Sequence, residues 1–193
     1  MTGVDGKEDL HSYLRGARET LVWKLDGLGE YDMRRPLTAT GTNLLGLVKH
    51  SAGTQLRYFG MVFGRAADVS LPWQANVEPN ADFWAAPDEI SNDIVAFYRR
   101  TWEIADETIA SLPLDAIGHV PWWGADGTVT LHRVLVHVTA ETQRHAGHAD
   151  IVRELIDGAV GRRPEDPNIP DIDWPAYRER LEAAALAAAA TRP

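Results

Sequence analysis

Cysteine is absent from the 193 residues, which excludes disulfides, cysteine-ligated zinc and a protein thiol nucleophile. Any metal must therefore be held by histidine and carboxylate. Lysine is scarce, three against sixteen arginines, and no Lys/Arg block is longer than two residues. With a formal net charge of −9 and a pI near 5.2, the chain offers no clustered cations to neutralise phosphates, so no nucleic-acid partner is expected. No apolar run approaches the ~18 residues that span a bilayer. The first ten residues carry neither a basic n-region nor an apolar h-region, and the reading is a cytoplasmic protein without membrane association. The excess of arginine and alanine fits a GC-rich bacterial genome. Strand periodicity and internal repeats are also missing.

What is present is helical periodicity in a chain with 45% hydrophobic residues, long enough for one well-buried core. One domain over residues 1–193 is expected, with its core at 9–158 and a tail at 159–193. Leu10, Leu14, Ala17, Leu21, Leu25 and Leu28 recur at three- and four-residue steps, predicting a first helix over residues 9–28. Thr42 is a good N-cap for a second helix running to about Phe63, which carries His50. Residues 64–90, with Pro72, Pro79 and Pro87 and no periodicity, read as a long loop of the kind that often lines a site. Ser91 is read as the cap of a third helix, ended by Pro113. A turn-rich linker at 118–130 follows, with Thr128 or Thr130 capping a fourth helix that stops at Gly158. A Pro-rich segment and a short Ala-rich helix from about Pro175 complete the chain. The fold class is all-α, a four-helix bundle.

The fourth helix carries a polar line where burial is costly: His137, Glu141, His145 and His148. At about 100° per residue these fall within roughly 80° of one another. Leu131, Val134, Leu135, Val138 and Ile151 set the apolar face beside them. Glu141 and His145, at i and i+4, can chelate one cation or form an exposed ion pair worth a few tenths of a kcal/mol. His50 alone reads as a satisfied core histidine. Facing Glu141 and His145 across a bundle, it becomes the third ligand of an open His/His/Glu site, which suits zinc, nickel, iron or manganese. His137 and His148 are candidates for acid/base work or for orienting a ligand. His11, His119 and His132 have no partner at useful spacing and are expected on the surface. The His-Glu-x-x-His of zincins, the paired Glu-x-x-His of diiron bundles, the Gly-x-Ser-x-Gly elbow and a phosphate-cradling glycine loop are all missing.

The turn Arg35-Pro-Leu-Thr38, the helix Asn43-Leu-Leu-Gly-Leu-Val-Lys-His50 and the segment Glu141-Thr-Gln-Arg-His-Ala-Gly-His148 resemble the DinB-like superfamily. The resemblance is greatest to the branch shared with mycothiol-dependent maleylpyruvate isomerases, and it covers about residues 9–158. It implies an up-up-down-down four-helix bundle that binds one divalent cation, usually zinc or nickel, through His50, Glu141 and His145. Many relatives use three histidines; Glu141 matches the isomerase branch. Those isomerases carry a further C-terminal domain, whereas about 35 residues follow the fourth helix here, so general thiol chemistry is expected rather than the isomerisation. In the enzymes it resembles, the metal activates the sulfur of a low-molecular-weight thiol such as mycothiol or bacillithiol. Relatives are often dimers, so a homodimer is expected.

Three functions fit these residues. The first is a metal-dependent thiol S-transferase, with Trp73, Trp84 and Trp122-Trp123 roofing an apolar electrophile pocket or simply packing the bundle ends. The second is a non-catalytic metal-binding stress-response bundle, in which the cation locks the helices. The third is a metal-dependent hydrolase, with His137 or His148 as base.

Overall fold

Three α-helices and a fourth whose last third is π-wound pack side by side in the computed structural model, which describes residues 5–65, 68–74 and 78–191. The first, α1 (Gly6–Trp23), starts where the Asp5 side chain accepts from the backbone N–H groups of Lys7 and Glu8. It ends earlier than its leucine spacing predicts: Gly27, at φ 76°, turns the chain so that Leu25 and Leu28 pack from a loop. A short helix, α2 (Glu30–Arg34), follows, unforeseen because five residues carry too little periodicity to read.

The next helix, α3 (Leu44–Gln55), is buried on nearly every side. Its N-cap is Asn43 rather than Thr42, because the Asn43 carboxamide oxygen accepts from the Gly46 N–H at 2.8 Å. It continues as a π-helical stretch, Leu56–Met61, whose looser winding leaves the Phe59 carbonyl to accept from the Thr108 hydroxyl at 3.1 Å. The described part of residues 64–90 forms turns; 66–67 and 75–77 of the expected loop lie outside the described residues.

Ser91 opens α4 (Ser91–Ser111) without capping it, its hydroxyl bonding instead to Glu30 of α2. The linker expected at 118–130 contains a small antiparallel hairpin, β1 (Ile117–His119) with β2 (Thr128–Thr130), too short to show an alternating pattern. Thr130 then caps α5 (Leu131–Asp157), which stops at Gly158 with φ 79°. The last helix, α6 (Trp174–Thr191), buries no residue. No helix among the described residues is long and apolar enough to cross a membrane.

The all-α bundle agrees with the sequence reading, but the helix directions do not. Lys24, at the end of α1, meets Asp150 near the end of α5, so these two run the same way. Lys49 of α3 meets Glu89 just before α4, and Thr108 near the end of α4 meets Phe59, so α3 and α4 are also parallel. His11 of α1 reaches Asp106 of α4, and His50 of α3 faces Glu141 of α5, so the two pairs are opposed. The order is up-down-down-up, not up-up-down-down. Periodicity carries no direction; the 64–90 connection is long enough to return the chain along the bundle before α4 begins.

Each of the three lysines is tied down. Lys7 Nζ donates to the carbonyls of Ala110 and Leu112, Lys24 pairs with Asp150 and the Gly161 carbonyl, and Lys49 pairs with Glu89 and the Trp84 carbonyl. Lys24 and Lys49 are fully buried, so these bonds replace the water their ammonium groups give up. His11, expected on the surface, is also committed, its Nε2 lying 2.8 Å from Asp106, which the buried Arg18 shares. His119 and His132 are exposed as expected.

Candidate metal centre

The antiparallel packing of α3 on α5 brings His50 opposite Glu141 and His145. Their three ligand-type atoms lie within 4.8 Å of one another, a group that could hold a metal ion. Glu141 Oε1 stands 3.2 Å from His145 Nε2 and 3.9 Å from His50 Nε2. Tetrahedral zinc with bonds of ~2.0–2.1 Å places its ligand atoms about 3.3 Å apart, so Glu141 and His145 already have that spacing and His50 must move inward to close the set on an ion. Two imidazoles and one carboxylate also match the donor preference of zinc and its neighbours.

Each ligand candidate is held differently. His50 Nδ1 lies 2.9 Å from Asp82 Oδ2, and the carboxylate can only accept, so Nδ1 carries the proton and Nε2 presents its lone pair toward Glu141. That hydrogen bond holds the Asp82 carboxyl below the usual carboxylate range despite its partial burial. Phe83 stacks on the His50 ring at 4.0 Å and fixes its plane. His145 is buried; burial, reinforced by neighbouring His50 and opposed by Glu141, pushes its pKa down to about 4. Its ring is therefore neutral at pH 7, the form that ligates. Among the described residues its Nδ1 has no hydrogen-bond partner, whereas Nε2 lies against the Glu141 carboxylate, so without an ion Nε2 carries the proton, which a metal held there would displace.

The polar line on α5 divides along its length. His145 is buried, His137 and Glu141 are half-buried, and His148 is exposed. Ile151, read as part of the apolar face, is 63% exposed; the buried face continues instead through Thr142, Ala146, Ala149 and Val152. His137 packs between Tyr58 at 4.9 Å and Trp123 at 5.0 Å, and burial lowers its pKa against the pull of Glu141. The His148 ring lies 5.7 Å from that of His145.

Two cavities, each of about 460 Å³, border the trio. The first reaches His145 and is lined by Thr40, Thr42, Asn80, Phe83, Trp84 and His148. The second reaches His50 and Glu141 and is lined by Thr54, Tyr58, Met61, Trp122 and His137. The tryptophans do not share one roof. Trp84 and Trp122 border different cavities, Trp123 packs on His137, and Trp73 is buried against Phe97 and Lys49. Even the adjacent Trp122 and Trp123 have different surroundings, so a tryptophan count cannot sort them.

Asp82, Phe83 and Tyr58 were not singled out by sequence. Asp82 and Phe83 sit in an aperiodic connection where no spacing marks them, and Tyr58 reads as an ordinary core aromatic until the π-helical stretch is seen to set it beside His137.

A family model for mycothiol-S-transferases matches residues 9–158. No curated protein matches the chain. The matched span contains α3, the Asp82 loop and α5, that is, every residue of the site just described, and it covers well over half of the 193 residues. The chain belongs to the mycothiol-S-transferase family, within the DinB-like superfamily.

Proposed function

We propose that this protein is a metal-dependent transferase that joins the sulfur of mycothiol, or a closely related low-molecular-weight thiol, to a small electrophile. The observation that carries this reading is the His50, Glu141 and His145 trio opening onto two cavities, which a closed structural site does not do. His50 and His145 through Nε2, with Glu141 through Oε1, would hold the ion, and zinc suits them best. When bound, such an ion supplies a Lewis acid that lowers the pKa of the thiol, so that the thiolate is the reacting form.

The chain's own residues orient the groups and move the proton. Asp82 keeps the His50 proton on Nδ1, leaving Nε2 free toward the site. The thiol gives up its proton; its sulfur forms a bond to the electrophilic carbon, and the leaving group departs with the electron pair of the broken bond. One imidazole stands on each side of the trio, His148 with His145 and His137 with His50 and Glu141. Either can take up the thiol proton or hand one to the leaving group. The chain has no cysteine of its own, so the sulfur comes from the cosubstrate.

Zinc-loaded protein incubated with mycothiol and a panel of electrophiles is expected to form the thioether, to stop on chelation and to recover when zinc is restored. Absence of metal-dependent conjugation across the panel refutes the reading. Ester or amide cleavage without any thiol moves it to a hydrolase. Asp82→Asn is expected to weaken zinc affinity about 10- to 100-fold with the fold intact, measured by competition with a chromophoric chelator. Unchanged affinity removes Asp82 from the site.

A further inference from the structure

The two cavities mix polar and apolar lining alike but present different side chains, and the three proposed ligands are shared between them. The first offers the hydroxyls of Thr40 and Thr42, the Asn80 amide and the His148 ring around the face of Trp84, which is 38% exposed. Ring-bearing polyols are recognised this way, apolar C–H faces lying on an indole while hydroxyls meet short polar side chains. The second is walled by Tyr58, Met61 and Trp122 together with Thr54 and Arg57, and Trp122 Nε1 donates to the Tyr58 hydroxyl at 3.3 Å, which ties the two rings together. A flat molecule can lie on those rings while its polar atoms meet Arg57 or Thr54.

We infer that the cavity of Thr42, Asn80 and Trp84 is the subsite for the hydroxylated rings of the thiol cosubstrate, and that the cavity of Tyr58, Met61 and Trp122 is the subsite for a planar electrophile. The partners then approach from opposite sides of the ligand trio. This rests on the transferase reading and extends it: mycothiol carries its N-acetylcysteine on glucosamine and inositol rings, and a volume of about 460 Å³ lies within the ~300–1,000 Å³ of small-molecule sites. Thr42 and Trp84 become specificity residues for the thiol, and Trp122 for the electrophile.

The test uses the full-length protein and two probes. One is the inositol–glucosamine fragment of mycothiol, which lacks the sulfur; the other is monobromobimane, a planar electrophile. The fragment is expected to bind wild-type protein by calorimetry with zinc present and after chelation alike, and to quench tryptophan fluorescence. Trp84→Ala is expected to weaken that binding about tenfold and abolish the quench, and Thr42→Val to weaken it about threefold. Trp122→Ala should leave fragment binding within twofold while raising KM for monobromobimane about tenfold. The converse pattern overturns the assignment, and so does one in which Trp84→Ala and Trp122→Ala move both probes equally. A wild-type protein that conjugates mycothiol while fragment binding ignores both Trp84 and Thr42 overturns the subsites alone. One that binds neither mycothiol nor the fragment overturns the transferase reading with them.

Discussion

Purified His50→Ala and His145→Ala proteins are expected to contain almost no bound metal, and their thiol-transfer rates to fall by more than about 100-fold. The expectation follows from the donor count. Three protein ligands leave one position for water or substrate, and removing one imidazole leaves only two groups to hold a divalent ion. Residues that merely orient a ligand are worth about 10- to 100-fold, so loss of a ligand itself should exceed that. Stability gives a second readout. An ion present at 100 times its Kd stabilises the folded chain by about 2.7 kcal/mol, which for a protein of this size is roughly 5–11 °C in Tm. Chelation should lower the wild-type Tm by that order and leave both variants unmoved. Elemental analysis decides the matter, because unchanged metal content in both variants removes the basis of the site.

The second large effect is expected far from any ligand atom. Gly46 lies one helical turn before His50 on α3, and a Cβ built there falls 1.9 Å from the Phe83 carbonyl oxygen and 2.5 Å from its carbon. Gly46→Ala must therefore push the backbone of the 82–84 segment away. That segment supplies the Asp82 hydrogen bond and the Phe83 stack that position His50, so displacement reaches the site directly. A clash of this kind in a packed core costs about 1–3 kcal/mol, or roughly 2–12 °C in Tm, and zinc affinity should fall about 10- to 100-fold with it. Gly53→Ala is the control on the same helix. Its nearest contact is a Leu71 methyl at 3.8 Å, and alanine is the better helix former, so Tm should hold or rise. A Gly46→Ala protein with wild-type affinity for zinc would show that the segment is not seated on α3.

Much of this was legible in the sequence where a period or a cap carries it. α5 is found from its apolar steps, a threonine cap left between Thr128 and Thr130, and its Gly158 stop, and with it the alignment of Glu141 and His145. His50 is found because α3 is apolar on nearly all sides and one histidine stands out. What escaped depends on through-space partners. Asp82 has no fixed distance from His50 along the chain, and the pairing exists only because Lys49 and Asn43 anchor the 83–89 stretch through the Trp84 and Phe83 carbonyls. Helix direction escaped for a related reason, since it is set by how far an aperiodic connection travels. The tryptophans misled because composition cannot tell a buried indole such as Trp73 from one that borders a cavity, as Trp84 does.

The three lysine clamps acquire a different meaning beside a site proposed to handle electrophiles. Alkylating compounds attack protein thiolates first and free amines next, so an enzyme that meets them continually is exposed to suicide by its own substrates. This chain has no thiol, and its lysine amines are each engaged, two of them with no surface open to a reagent. The bonds that hold these lysines in the bundle thus also keep their amines from such reagents.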